Sequence, residues 1–106
     1  MAMDLCEKVY ALVRKLPSEE KFALGDQLRR AVVSIPSNIA EGNGRGSSKD
    51  YAHFLSMARA SLFEVRTQLE LAERLGYFSV SEELSTQIES ISKMLFSMSR
   101  KLAANQ

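Results

Sequence analysis

The sequence predicts an all-α protein, an antiparallel up-and-down four-helix bundle. Apolar residues recur at helical spacing along most of the chain, and proline, glycine and serine interrupt that spacing at three places. No segment shows the sustained period-two alternation that is typical of a strand. A chain of 106 residues suits one domain, residues 1–106, with one modest core. We place the four helices at about residues 3–16, 18–43, 48–75 and 79–103.

A proline separates the first helix from the second. Apolar residues from Leu5 to Leu16 fall at steps of three and four, and Pro17 ends this pattern. Ser18 is a favourable N-cap, and Glu19 and Glu20 suit the positive end of a helix dipole. The second apolar stripe then consists of Phe22, Leu28, Val32, Ile35 and Ile39.

The third helix carries the longest stripe, from Tyr51 to Ala72, in which Tyr51 and Phe54 are expected in the core. Ser47 and Asp50 before it have capping-box spacing, and Gly76 is expected to close it as the C′ residue. A second apolar set lies on roughly the opposite side of this helix: Met57, Ala60, Leu71 and Leu75. This back face predicts self-association.

The fourth helix is predicted from a second capping-box pair, Ser79 and Glu82, followed by a seam of alternating steps of four and three from Leu84 to Leu102. Such a seam is typical of a helix bundle. Short connections make neighbouring helices antiparallel.

The stretch from Ser34 to Ser48, "SIPSNIAEGNGRGSS", admits three interpretations: a catalytic loop, a phosphate cradle, or a kinked helix ending in a turn. Pro36 lies inside the second stripe, yet Ile35 and Ile39 keep the stripe's spacing across it, which predicts one helix with a kink. Ser34 and Ser37 are placed to satisfy backbone groups that the proline frees.

Three alternating glycines follow, and their spacing argues against a phosphate cradle. A P-loop needs G-x-x-x-x-G-K-[ST], but five residues after Gly42 stands Ser47. A dinucleotide fingerprint follows a strand, whereas this stretch follows a helix. We therefore expect Gly42 to end the second helix, and Ser47 or Ser48 to start the third.

Composition excludes several function classes. One histidine and one cysteine leave too few ligands for a zinc-type site, and no Glu-x-x-His pair suggests a di-iron bundle, so we expect no metal and no cofactor. His53 is best read as a surface residue and Cys6 as a packing residue. No apolar run is long enough to span a membrane, no signal peptide is evident, and a single cysteine fits a reducing cytoplasm.

Basic residues are the best candidates for contacts with a ligand. A net charge of +1 is far from that of a dedicated nucleic-acid binder, so affinity must come from local clusters or from assembly. Arg66 is also expected to pair with Glu70, four residues on. Asn38 and Glu41 are expected to bond to a neighbouring helix or subunit. The candidate nucleic-acid-binding residues, on the second and third helices and the turn between them, are Arg29, Arg30, Arg45, Lys49, Arg59 and Arg66.

The stretch "LRRAVVSIPSNIAEGNGRGSSKDYAHFLSMARASLFEVRTQLELAERLGY" closely resembles a bacterial family, and the resemblance extends from about Val9 to about Leu102. The family consists of small four-helix bundles first noticed as reading frames inside intervening sequences of 23S ribosomal RNA genes. It is similar to the accessory variability determinant of diversity-generating retroelements, a pentameric bundle that binds nucleic acid and partners a reverse transcriptase. The resemblance implies a ring, a homopentamer, and RNA binding, and it implies no established enzymatic activity. Its most specific part includes Pro36, Asn38, Glu41 and Gly42.

Two departures from the family pattern are visible. The family usually has Ala-Arg-Gly-Ser where this chain has Ala-Arg-Ala-Ser from Ala58 to Ser61, so a close helix contact at Ala60 is expected to be looser. The family also usually carries about a dozen residues before the match to Ala2-Met3-Asp4-Leu5, so the first helix is expected to be short, and the true start is expected upstream or the shorter form is real.

The leading interpretation is a non-enzymatic, oligomeric four-helix bundle that binds RNA or another nucleic acid. The second is a scaffold whose oligomer docks a partner protein. An enzyme is third, because no catalytic constellation is evident in the sequence.

Overall fold

A computed structural model describes residues 1–104 and confirms the predicted fold class. This part of the chain contains four long helices and one helix of a single turn, and no strand. The bounds are α1 Ala2–Val13, α2 Ser18–Lys21, α3 Leu24–Asn43, α4 Ser48–Arg74 and α5 Glu82–Ala104. Helix α3 packs along α4, α4 packs along α5, and α1 lies against α3 and α5.

The core lies where the four long helices face one another. Each helix buries one stripe, as the 3.6-residue period predicts. Fully buried side chains from every long helix meet there: Leu5, Val9, Leu28, Val32, Ile35, Leu55, Leu62, Val65, Leu69, Ile91 and Leu95. Burying each such side chain favours folding by about 1.5–3 kcal/mol relative to leaving it exposed.

The predicted second helix is divided, which corrects the expected span of residues 18–43. Phe22 and Ala23 leave the helical conformation, so α2 ends at Lys21 and α3 begins at Leu24. Phe22 is 84% exposed and does not belong to the core stripe. Buried Gly25 explains the break, since a Cβ atom there would lie 3.2 Å from Val13 Cγ1. The interruption lets the start of α3 pack closely beneath the end of α1.

The predicted ends of the third helix are confirmed. The backbone N–H of Asp50 donates to Ser47 Oγ at 3.1 Å, so Ser47 is the N-cap of α4. Gly76 has φ 84°, in the left-handed region that glycine adopts without strain. The N–H of Tyr77 donates to the carbonyl of Ala72 at 3.1 Å, which completes a Schellman motif.

The start of the last helix was predicted three residues too early. Helix α5 begins at Glu82, and Ser81 is its cap, because the N–H of Leu84 donates to Ser81 Oγ at 3.1 Å. Ser79 lies in the preceding loop, which Val80 anchors by packing against the core. The spacing of Ser79 and Glu82 suited a capping box, but tertiary packing of the loop moved the cap to Ser81.

Helix α3 continues through Pro36, as predicted, although a bend at this point stays a prediction. Proline has no N–H, so the carbonyl of Val32 loses its helical donor. The thiol of Cys6 on α1 donates to that carbonyl, with an Sγ–O distance of 3.3 Å. Ser34 Oγ donates to the carbonyl of Ala31 at 2.6 Å. Cys6 is therefore more than a packing residue, since it binds the backbone group that Pro36 leaves open.

Replacing Cys6 by alanine is expected to lower the free energy of unfolding by about 1 kcal/mol, because the carbonyl of Val32 loses a hydrogen bond in a half-buried place. Cys6→Ser is the matched control, since its hydroxyl can donate to the same carbonyl. Urea unfolding followed by circular dichroism measures both variants. Equal losses for the two would show that the thiol contributes only packing.

Gly42 lies inside α3, which corrects the expectation that it ends the helix. The helix ends one residue later at Asn43, and Gly42 is buried. A Cβ atom at this position would lie 2.7 Å from Phe54 Cβ and 3.0 Å from Tyr51 Cδ1. Gly42 is thus the point where α3 and α4 approach most closely to a missing side chain, just before the turn that carries the basic residues.

Candidate nucleic-acid interface

The motif around Pro36 forms local bonds rather than bonds between helices. Asn38 Nδ2 donates to the carbonyl of Ser34 at 2.8 Å, within α3. Glu41 pairs with Arg45, at 3.0 Å, across the end of the same helix. The expected bonds to a neighbouring helix are therefore wrong for these two side chains, and bonds to another subunit stay a prediction.

The turn between α3 and α4 exposes Arg45 and Lys49 at one end of the bundle. The guanidinium carbon of Arg45 lies 5.0 Å from the ring centroid of Phe54, a cation–π distance. Phe54 is only half-buried, so it supports the turn rather than lying in the core as predicted. His53 meets the same ring edge-on at 5.9 Å between centroids and is exposed.

A second basic group lies on the side of the bundle where α4 and α5 pack together. We call it the arginine–phenylalanine face and define it as Arg59, Phe63, Arg66, Phe96 and Arg100. The guanidinium carbon of Arg59 lies 4.8 Å from the Phe63 centroid and 4.6 Å from the Phe96 centroid. Arg66 lies 4.9 Å from Phe63, and Arg100 lies 5.6 Å from Phe96. Guanidinium groups and phenyl rings therefore alternate along this face.

Helix geometry explains why these side chains meet. Arg59, Phe63 and Arg66 follow one another at steps of four and three on α4, and Phe96 and Arg100 are four apart on α5, so each set shares a helix face. The packing of the two helices then places Phe96 beside Arg59. The Nε–H of Arg59 also donates to Ser92 Oγ at 3.3 Å, which fixes the guanidinium against α5.

The arginine–phenylalanine face carries an excess of positive charge. In the part of the chain that the structure describes, its ion pair is between Arg66 and Glu89, at 3.9 Å, and both side chains are more than half exposed. Such a pair adds little stability and leaves the charges accessible. The predicted pair of Arg66 with Glu70 is wrong, because Arg66 leans over Phe63 towards α5 while Glu70 pairs with Arg74 at 3.8 Å.

Arg29 and Arg30 lie elsewhere. Arg29 is half-buried, donates to the carbonyl of Lys21 at 2.8 Å and pairs with Asp26, so it fastens α2 to α3. Arg30 is exposed on α3. Sixteen residues of helix rise separate Arg29 from Arg45, about 24 Å along the bundle. The six predicted residues are therefore divided among three places and do not share one end or one flank.

The sequence reasoning missed Phe63, Phe96 and Arg100, and it wrongly expected no aromatic groups beside the basic residues. The signal that could have found them is the repeated arginine–phenylalanine spacing of three or four on each helix. Ala60 is exposed beside this group, so it makes no close helix contact within the chain.

Other kinds of site find little support in residues 1–104. No group of three histidine, cysteine, aspartate or glutamate side chains in this span is arranged to hold a metal ion. None of its helices has both the length and the apolar character required to cross a bilayer. Burial, with a smaller effect of Glu7, raises the pKa of the Cys6 thiol, which keeps the thiol protonated as a hydrogen-bond donor.

Comparisons with known proteins agree with this architecture. A family profile described as "23S rRNA-intervening sequence protein" matches residues 1–97. A crystal structure from Bacteroides thetaiotaomicron, described as a protein with unknown function from the S23 ribosomal protein family, is 24% identical in sequence, with a TM-score of 0.67. That match covers 97% of this chain and 92% of the other, and it shows a shared fold. No curated protein matches the chain.

Proposed function

Because the chain belongs to the 23S rRNA-intervening sequence protein family, we propose that it is a non-enzymatic, oligomeric four-helix bundle that binds RNA or another nucleic acid. The observation that carries the proposal is the excess of exposed arginine on the arginine–phenylalanine face, together with the basic turn that holds Arg45 and Lys49. Phosphate groups are the natural partners of such cations. A symmetric assembly would repeat both groups, and linked weak contacts multiply affinity.

The proposed assembly is a ring, and a homopentamer is the form that the family resemblance favours. Exposed apolar side chains on the back of α4 support self-association: Met57 is 41%, Leu71 47% and Leu75 52% exposed. Contacts between copies would remove these side chains from water at about 25 cal/mol for each Å² of apolar surface.

Light scattering of the purified protein at micromolar concentration is expected to give several times the chain mass of 11.9 kDa. Leu71→Ala combined with Leu75→Ala should shift the mass towards that of one chain, since both remove exposed apolar contacts from the same face. A monomer at micromolar concentration for the unaltered protein would contradict the assembly.

The same apolar face favours a second candidate function, a scaffold whose oligomer docks a partner protein. The two candidates differ in their response to salt, because phosphate contacts release counterions whereas apolar docking does not. If the protein binds neither RNA nor DNA at low salt, the scaffold becomes the better account.

Replacing Arg45 and Lys49 together by alanine is expected to lower affinity for nucleic acid without changing helicity or assembly, because both residues lie at an exposed turn. The slope of log K against log salt should fall by about 0.7 for each lost phosphate contact on a single strand. The double variant Arg14→Ala, Lys15→Ala is the matched control, since it removes the same charge from the exposed end of α1. Equal effects of the two double variants would mean that only net charge matters.

A further inference from the structure

We propose that the arginine–phenylalanine face is a binding site for an unpaired stretch of nucleic acid, whose bases stack on its rings and guanidinium planes. This inference rests on the proposed function and deepens it, because it names both the surface and the state of the strand. It concerns α4 and α5, whereas the basic turn between α3 and α4 offers charge for phosphates alone.

The alternation of planar groups carries the stacking argument. Arg59 lies between Phe63 and Phe96, at 4.8 Å and 4.6 Å from their centroids, so its guanidinium forms a plane between two rings. Phe96 is 44% exposed although it is a large apolar side chain. Unstacked bases bind aromatic rings and arginine planes in this way, with little preference for sequence.

The space between the two helices suits a small planar group. A groove of about 240 Å³ lies along the face, and the hydroxyls of Ser56 and Ser99 also line it. This volume is below the ~300–1,000 Å³ that is usual for drug-sized ligands, so it admits one base rather than a larger ligand. Bases in a duplex are already stacked and paired, so a duplex can offer this face only its phosphates and sugars.

Charge favours a polyanion over a second copy of the chain. Three arginines on the face are accompanied by the half-exposed carboxylate of Glu89, which leaves positive charge to spare. A two-fold contact between copies of this face would bring like charges together, which costs free energy. A phosphate backbone instead supplies negative charge beside the bases that stack.

The test uses fluorescence anisotropy with two labelled probes, a 20-nucleotide oligouridylate and an RNA hairpin with a fully paired stem. We expect the unaltered protein to bind the oligouridylate more tightly. Phe96→Ala should weaken this binding roughly 5- to 100-fold, the range for loss of one stacked base. The salt slope should not change, because no phosphate contact is lost.

Phe22→Ala is the matched control, since Phe22 is an exposed phenylalanine between α2 and α3, at 84% exposure, and lies outside the face. A second variant, Arg66→Lys, keeps the charge but removes the planar group over Phe63. It should weaken oligouridylate binding while leaving hairpin binding within about twofold.

The outcomes separate this inference from the proposed function. If the unaltered protein binds neither probe at low salt, the proposed function fails and the inference fails with it. If the protein binds but Phe96→Ala behaves like Phe22→Ala, or the hairpin binds as tightly as the oligouridylate, only the inference is overturned. If Phe96→Ala instead lowers the mass measured by light scattering, the face is a contact between copies, and the inference is again overturned.

Discussion

Replacing Gly42 by valine is expected to lower the free energy of unfolding by about 3 kcal/mol, the upper end of the range for overpacking. A Cβ atom at this position would lie 2.7 Å from Phe54 Cβ, which is attached directly to the α4 backbone and cannot rotate away. Helices α3 and α4 would have to separate at the end that carries the basic turn. Urea unfolding followed by circular dichroism measures the loss.

Gly46→Val is the matched control for this substitution. A Cβ atom at Gly46 would meet nothing within 4 Å, and its φ is not positive. The control should therefore stay within about 0.5 kcal/mol of the unaltered protein, as surface substitutions usually do. If Gly42→Val did the same, the close approach of α3 and α4 at Gly42 would be wrong.

Replacing Leu62 by alanine is expected to cost about 2–5 kcal/mol of unfolding free energy. Leu62 is fully buried near the middle of α4, where the other long helices surround it. Alanine keeps the helix propensity high, so the loss reports the cavity and the lost transfer free energy rather than a weaker helix. Chemical unfolding at a fixed protein concentration gives the value.

Leu71→Ala makes the same chemical change on the same helix where the side chain is 47% exposed. Its cost should be below about 1 kcal/mol within one chain, since little apolar surface leaves a packed environment. A loss under 1 kcal/mol for Leu62→Ala would contradict its place in the core. A loss for Leu71→Ala as large as that for Leu62→Ala would show that assembly buries Leu71.

The number of long helices and the core stripes could be predicted from the sequence, because both depend on local periodicity. Leu28, Val32 and Ile35 occupy the core as their spacing predicts. The break at Phe22 and Ala23 could not be predicted, because it depends on how closely Gly25 approaches Val13 across the bundle. The start of α5 was misplaced for the same reason, since packing of the preceding loop selected the cap.

The candidate interface was predictable only in part. The charge of Arg45, Lys49, Arg59 and Arg66 is visible in the sequence, and the turn between α3 and α4 was placed correctly. The position of Phe96 beside Arg59 depends on the register of α5 against α4, which no local pattern encodes. The role of Cys6 was hidden likewise, because its partner is a backbone carbonyl on another helix.

The most direct test of the central claim is a salt titration of the binding of single-stranded RNA by the unaltered protein. Fluorescence anisotropy with the labelled oligouridylate, from 50 to 200 mM salt, gives the association constant and its slope. We predict binding at 50 mM salt and a loss of about 100-fold or more by 200 mM, as expected when about five phosphates are contacted at about 0.7 of slope each. The absence of binding at 50 mM salt, or an affinity that does not change with salt, would contradict the account.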